Sequence, residues 1–435
     1  MPILLAALLP AAGWAQAPLS LRQAVERALS SHPSMTAADS AVQAANTRVE
    51  QAQSGRLPKV NYAESWQRSN NPVFVFGALL TQRQFSESNF AIGSLNNPAA
   101  LNNFQSMLTV DQPIYDAGQT KQAQTSAALG TKLAIEEKRK TEQQLVGLTA
   151  SAYYGVLLAT EMGAVADATV RSAEADLQRA ESVRDAGMAT DADVLAIRVH
   201  LAAMREEQIR RRADVQVAEA ALNETMAEPL DRHFTLTTPL TATMAPADAT
   251  LSRPEIRQAE LAAQIAETQI QTARTAYLPQ VSLRGAVEAD RQRFITRAGA
   301  NWFAGVTLRW NLFNGYADRA RIEEFTHNLK RAQALEKQAT EGARLEVVRA
   351  RAQMDAAQQR IGVTDAAIAQ AEESLRITKN RYEAGLTTVT ELLRGETALA
   401  EARFRKLAAV HDQRLSAVAV AFAQGTLEMN SEVLQ

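Results

Sequence analysis

The sequence predicts an α+β membrane protein, mainly α, built on a two-fold internal repeat, whose four strands per chain close only in an oligomer. Three observations predict it. Two helical stretches are too long for a globular core, four segments of about ten residues alternate apolar and polar side chains, and proline and glycine recur at matched intervals.

Composition sets the outer bounds. Among 435 residues, 19 Gly, 13 Pro and long Ala-, Gln- and Glu-rich stretches favour extended helices over compact layers. A formal net charge of −2 removes the electrostatic case for a nucleic-acid partner, because neutralising phosphates takes a clustered basic excess. With no cysteine there is no disulfide, no thiolate metal site and no lipidated N-terminal Cys, which suits a periplasmic route. Ile3 to Leu9 form an apolar run before Pro10, and Ala15-Gln16-Ala17 has the small-x-small pattern of a cleavage site, so a signal peptide is expected over 1–17. No Lys or Arg precedes that run, so its n-region is defective for a signal peptide, and the sequence leaves open whether the natural start lies upstream of Met1. No later stretch shows the ~20 continuous apolar residues of a spanning helix, so a membrane crossing has to use strands.

The repeat organises everything after the leader. His32-Pro33 precedes Leu57-Pro58 by the interval that separates Arg253-Pro254 from Leu278-Pro279, with Gln- and Ala-rich helical sequence filling each gap. Two strand segments follow each Leu-Pro pair and end in Gln112-Pro113-Ile114-Tyr115-Asp116-Ala117-Gly118 or Trp310-Asn311-Leu312-Phe313-Asn314-Gly315. From there the copies stay in register, Pro113 to Gly187 matching Asn311 to Gly385. They differ chiefly between the strands, where residues 70–103 are expected to form a long loop and residues 290–301 a short turn.

Alternation defines the strands. Val60, Tyr62 and Trp66 share a face, opposite Asn61, Ser65 and Gln67, and Glu64 is the one exception on the apolar side. Val281, Leu283 and Val287 alternate with Ser282, Arg284 and Glu288, while Trp302, Ala304, Val306, Leu308 and Trp310 oppose Gly305, Thr307 and Arg309. Phe104, Leu108 and Val110 complete the set, in the dyad pattern of a transmembrane barrel.

Two helices, 119–183 and 316–381, would each extend on the order of 100 Å and need a partner along their length. Leu145, Leu148, Ala152, Gly155, Ala159, Met162, Ala166, Ala173, Leu177 and Ala180 follow three-four spacing in the first, as do Ile368, Ala371, Leu375, Thr378 and Tyr382 in the second. Each helix reaches a turn, Asp185-Ala186-Gly187 or Glu383-Ala384-Gly385, and a return helix begins near Thr190 or Thr388. Two helical hairpins are expected, tipped by Gly187 and Gly385.

Four strands cannot lie open in lipid, because the two sheet edges would leave backbone groups unpaired. Two copies would give about eight strands and three about twelve; eight leave an interior filled by side chains, so a conducting pore favours three.

In its repeat, in QPIYDAG and WNLFNG, and in the tips RDAGMATDADVL and RYEAGLTTVTELL, the sequence resembles the TolC or outer membrane efflux protein family over nearly all of the mature chain. The resemblance implies a homotrimer with a twelve-stranded barrel in the outer membrane, continued by a long periplasmic coiled-coil barrel of helices. It also implies a periplasmic adaptor (membrane fusion) protein and an inner-membrane transporter of RND, ABC or MFS type as partners, besides outer-membrane lipid. The implied function is the passive exit duct of a tripartite efflux pump, with type I protein secretion as the alternative within the class. The expected organisation is a signal peptide 1–17, a first repeat 18–228 with an extracellular loop at about 70–103 and a tip at 185–190, a linker 229–250, a second repeat 251–427 with its tip at 383–388, and a tail 428–435.

The resemblance also places the entrance. An acidic ring after the second tip falls on Glu391, where three like charges in a narrow aperture would attract cations. Thr388-x-x-Glu391 and Thr190-x-x-Asp193 equally read as capping boxes. Arg394 stands where some members carry a second acid, and Thr387 faces Asp193 where some carry an Arg that latches to an acid of the first hairpin. Tyr382 is grouped with these gate residues. Gly187, Met188, Gly385 and Leu386 match the adaptor-docking tips.

Nothing in the sequence assembles a catalytic, cofactor or metal site. His32, His200, His233, His327 and His411 are scattered without ligand spacing, there is no P-loop and no thiol nucleophile, so no enzyme is expected. A coiled-coil scaffold or adhesin stalk would use the same long helices, but needs neither lipid-ready strands nor glycine-tipped hairpins in register.

Overall fold

The computed structural model describes residues 17–187 and 189–434. In chain order these form β1 (Ala17–Leu19), α1 (Leu21–Ser31), α2 (Pro33–Gln53), β2 (Lys59–Ser69), α3 (Pro72–Thr81), α4 (Ile92–Asn96), β3 (Leu101–Tyr115), α5 (Gln119–Asp185) and α6 (Asp191–Thr225). They continue with β4 (Phe234–Leu236), α7 (Pro254–Arg274), β5 (Gln280–Arg291), β6 (Gly299–Arg309), α8 (Ala317–Glu383) and α9 (Val389–Gln424). The chain is thus mainly helical with few strands, and α5 and α8 are each 67 residues long. Of the expected leader only Ala17 falls among the described residues, its backbone paired in parallel with Phe234. Two compact units emerge, one from residues up to 41, 135–258 and 336 onward, the other from 42–134 and 259–335.

The second unit holds a four-stranded sheet in the order β2-β3-β5-β6, every pair antiparallel. Its register aligns Tyr62, Leu108, Val287 and Trp302 in one row, and Ser65, Gln105, Asp290 and Gly299 in a row of the other face. Because side chains alternate, the rows sort the sheet into an apolar and a polar face. The apolar face is open: Tyr62, Trp66, Trp302, Val306 and Leu308 are all exposed, Trp302 by 79%. A soluble sheet would cover such a surface. β2 and β6 each have one neighbour, so both edges carry unpaired backbone groups.

Glu64, the odd residue on the apolar face, is neutralised where it stands. It accepts from Tyr62 Oη at 2.8 Å and from Ser106 Oγ, and Arg291 Nη2 donates to it at 2.8 Å. Arg291 is placed over the Phe294 ring, 5.3 Å from its centroid. Sequence alternation flags the carboxylate but not Ser106 and Arg291, which arrive from β3 and β5.

The β2–β3 connection departs from the expected open loop. Asn71 caps α3 through Oδ1, accepting from the amides of Val73 at 3.0 Å and Phe74 at 3.2 Å, and Pro72 follows at the first helical position, where its missing N–H costs nothing. α3 buries Val75 and Ala78 together with Leu101. The sequence PVFVFGALL reads equally as a short apolar strand, and its cap decides the matter.

In the first unit, β1 pairs with β4 beside a core of Leu19, Leu21, Val25, Val146, Ala150, Tyr153, Leu222, Met226, Val420 and Leu427. Tyr153 Oη donates to the Leu19 carbonyl at 2.9 Å and accepts from Thr238 N at 2.9 Å, joining the start of the chain to the segment after β4. One 18-residue window of α5 reaches a mean hydropathy of 1.2, enough by composition to cross a membrane, although it holds no ~20 continuous apolar residues. The strict count of apolar residues skipped a stretch interrupted by Gly, Ser and Thr, and the core packing of Val146, Ala150, Tyr153 and Tyr154 explains its composition. The expected packing stripe of α5 is corrected at Leu148, which is 54% exposed; the buried line passes instead through Val146, Thr149, Ala150 and Tyr153.

Candidate functional site

Both hairpin turns lie in the first unit. α6 runs antiparallel to α5, with Arg198 donating to Glu181 at 2.6 Å, Arg205 to Glu174 at 2.9 Å and Gln208 to Asp167 at 2.7 Å. α9 returns along α8 in the same way, through Arg403 to Glu372 at 2.8 Å and Arg360 to Asp412 at 2.7 Å. The turns need glycine: Gly187 has φ +79° and Gly385 φ +71°, in the left-handed region where a Cβ is strained. At the second tip the Leu386 amide donates to the Arg381 carbonyl at 2.8 Å and the Gly385 amide to Tyr382 O at 2.9 Å, a Schellman closure. Leu386 is left 68% exposed. Met188 lies outside the described residues.

The two expected capping boxes part company here. At the first tip Thr190 Oγ1 accepts from the Asp193 amide at 3.2 Å while Asp193 Oδ2 accepts from Thr190 N at 3.1 Å and Thr190 Oγ1 at 2.8 Å. At the second, Thr388 has cap geometry but no side-chain cap bond, and Glu391 instead accepts from Arg394 Nη1 at 2.6 Å. The box expected at Thr388 is corrected: an arginine three residues along the helix outbids the backbone amide for that carboxylate. Thr190→Ala is therefore expected to destabilise the first turn of α6 by about 1 kcal/mol, and Thr388→Ala the first turn of α9 by much less. Amide exchange in the two turns measures the difference.

Among the residues expected at the entrance, Asp193 is engaged by Thr190, and Tyr382 packs against the cluster of Ala180, Val194, Ile197 and Val389. Burial, with the carboxylates of Asp193 and Asp176 adding to it, pushes the Tyr382 phenol above its ordinary range. Thr387 is half-buried.

A buried polar cluster that the sequence reading missed joins the hairpins. Asp176 on α5 and Glu396 on α9 are 3% and 6% exposed. Asp176 Oδ1 receives Lys379 Nζ and Arg179 Nη1, each at 3.1 Å. Glu396 Oε1 accepts from Ser172 at 3.2 Å, and His200 Nε2 lies 3.5 Å from Oε2. Asp176 Oδ2 and Glu396 Oε2 are buried without another hydrogen-bond partner, so one shared proton between them satisfies both. Burial first, then the adjoining Glu396, pushes Asp176 up to about 6. Burial works to raise Glu396 as well, but His200 and Asp176 outweigh it and hold Glu396 down to about 2. The available signal was Asp176 itself, a carboxylate on the stripe of Ala173, Leu177 and Ala180.

Among the described residues, no group of three or more His, Asp or Glu side chains is placed to hold a metal ion. The second unit thus carries an exposed apolar strand face with unpaired edges, and the first unit two glycine-tipped helical hairpins. The model of the outer membrane efflux protein family matches residues 24–228 and 245–426. This chain belongs to the outer membrane efflux protein family. Membership places it in the outer membrane and in a family of ducts rather than enzymes.

Relatives agree. The chain is 31% identical over 193 residues to Protein CyaE of Bordetella pertussis, covering 41% of this chain and 39% of that one. It is 27% identical over 210 residues to the solvent efflux pump outer membrane protein SrpC of Pseudomonas putida, covering 46% and 45%. The aligned stretches thus span less than half the length of either relative. The fold is that of the Campylobacter jejuni CmeC outer membrane channel, with a TM-score of 0.78 at 17% identity over 95% of this chain and 87% of that one.

Proposed function

We propose that the chain is one protomer of a trimeric exit duct of a tripartite efflux system, conducting small molecules passively out across the outer membrane. The observation that carries this reading is the four-stranded sheet with an exposed apolar face and two unpaired edges. Lipid tolerates neither edge, so β6 of one copy pairs with β2 of the next. Three copies give twelve strands, and the polar face, with Asn61, Gln105, Glu288 and Thr307, lines the lumen. The matched element lengths, 67 residues for α5 and α8, 35 for α6 and 36 for α9, support two repeats, 18–228 and 251–427 about a linker 229–250. The helices form the periplasmic barrel.

The hairpin tips dock a periplasmic adaptor, which links the duct to an inner-membrane transporter that supplies the energy. Exposed Leu386 and the tip glycines support this, as does a groove of about 820 Å³ between α6 and α9 lined by Leu195, Val199 and Leu393.

Glu391 lines the entrance together with Arg394 rather than as an unopposed acidic ring. An exposed pair of this kind contributes about 0–1 kcal/mol to stability, so its charges act on passing ions rather than on the fold. Recording the purified duct in planar bilayers under a salt gradient tests both function and entrance. Arg394→Ala should shift the reversal potential toward cations and Glu391→Gln toward anions. Reversal potentials unchanged in both variants would remove the pair from the entrance, and a complex that never conducts would contradict the duct.

A further inference from the structure

The β2–β3 connection is not a passive loop. Its helix α3 lies against the polar face of the sheet, the face assigned to the lumen. Gln82, next to the end of α3, donates through Nε2 to the Asn102 carbonyl at 2.9 Å and to Asn103 Oδ1 at 2.8 Å, and Asn103 Nδ2 donates in turn to Asp290 Oδ1 at 2.7 Å. Arg83 Nη2 donates to the Ala300 carbonyl at 3.0 Å. Gly299 backs so closely onto the Thr81 and Gln82 backbone that a Cβ there has no room. Gln82 and Asp290 are buried by this arrangement, 3% and 1% exposed, although a polar face lining a water-filled lumen would leave them wet.

The other side of α3 is apolar and largely uncovered, with Phe76 packed edge-on against Phe85 at 4.8 Å between ring centroids. Val73, Phe76 and Leu80 follow three-four spacing and are exposed, Val73 by 82%, and no charged residue occurs between Arg68 and Arg83. An apolar stripe aimed into a polar lumen calls for a partner, and the dimensions supply one. Twelve strands about 4.8 Å apart and tilted about 40° close a backbone cylinder of roughly 12 Å radius. A helix about 10 Å thick lying on that wall takes up nearly the whole radius, so three of them meet near the axis.

We propose that three copies of α3 meet across the outer mouth of the duct and form an apolar seal, the partner of each being the same helix of the neighbouring protomers. The inference rests on the trimeric-duct reading. The seal belongs to the outer mouth because the β2–β3 connection joins the strand ends opposite those that continue into α2 and α5. With no charge to repel, the copies approach closely and exclude water and ions, while apolar or amphipathic cargo displaces them. The Glu64–Arg291 cluster is on the opposite, apolar face of the same sheet and takes no part in the seal.

The chain has no native cysteine, so single cysteines report cleanly. With Thr307→Cys on the lumen face, a membrane-impermeant maleimide too large for general porins is added to intact cells. Labelling should be slow with native α3 and about tenfold faster in the added triple variant Val73→Ser, Phe76→Ser, Leu80→Ser, equivalent to a barrier lower by about 1.4 kcal/mol. Separately, Val73→Cys or Leu80→Cys in the otherwise native chain should be cross-linked between protomers by a short bifunctional thiol reagent. Equal labelling rates with intact trimers, or no cross-link at either position, would overturn the seal. Absence of trimers from the Thr307→Cys chain with native α3 would instead count against the trimeric duct.

Discussion

Cells producing Val306→Arg are expected to accumulate almost no assembled complex in their outer membrane, whereas Thr307→Arg, one residue along, assembles as the native chain does. Val306 is exposed on the apolar face of β6, opposite Leu283, and Thr307 is on the polar face opposite Ser282. An arginine facing lipid near the bilayer midplane costs about 2–4 kcal/mol, and a trimer carries it three times, roughly 6–12 kcal/mol in all. That is comparable to the entire stability of an ordinary domain. On the polar face the same side chain meets water and joins Arg309. Heat-resistant oligomer in outer-membrane fractions reads the contrast. Equal assembly of the two variants would mean that the sheet does not face lipid as assigned.

The second large effect is a pH dependence at the junction of the hairpins. Asp176 holds its proton in the folded chain well above the ordinary value of 3.8, at about 6. The stabilisation from that proton is complete below about pH 4 and is lost as pH rises through 6. Glu396 has the opposite sign: held below its ordinary 4.5, it stabilises above that value and loses the contribution as pH falls toward 2. The pair is therefore tightest between these limits, near pH 5, and loosens toward pH 8. Arg179 and Lys379 face Asp176 from α5 and α8, His200 and Ser172 face Glu396 from α6 and α5, and Glu383 engages Arg179 at 3.4 Å. These groups soften the effect without reversing it. At about 1.4 kcal/mol per pKa unit, discounted for screening, the change across pH 5 to 8 is roughly 1–2 kcal/mol. Amide exchange around residues 172–180 and 392–400, corrected for intrinsic rates, should show protection falling over that range. Asp176→Asn, which keeps the hydrogen bond to Glu396 at every pH, should abolish the fall. A pH-independent native chain would contradict the shared proton.

The large elements were legible because their signals are periodic and local. Alternation in Val60, Tyr62 and Trp66 marks a face whatever the strand pairs with, and Gly187 and Gly385 mark turns that only their own backbone requires. What escaped depends on partners distant in sequence. Glu64 read as an exception until Arg291 met it across β3, and Asp176 became a titrating group only when Glu396 arrived from the other hairpin. Leu148 failed because a stripe drawn at three-four spacing drifts around a helix that buries different faces along its length. Thr388 failed because a capping motif specifies who can bond the amide but not who else competes for the glutamate, and Arg394 wins. α3 was hidden in an apparent loop because it is too short and too uniformly apolar for its period to show.

In the proposed duct, the sheet edges β2 and β6 are closed by other copies of the chain, because lipid offers their backbone groups no partner. Native mass spectrometry of the complex extracted from outer membranes tests this most directly. Three copies of the chain and no stable smaller species are expected; a monomer or a dimer as the membrane-extracted form would contradict closure of the edges between three copies.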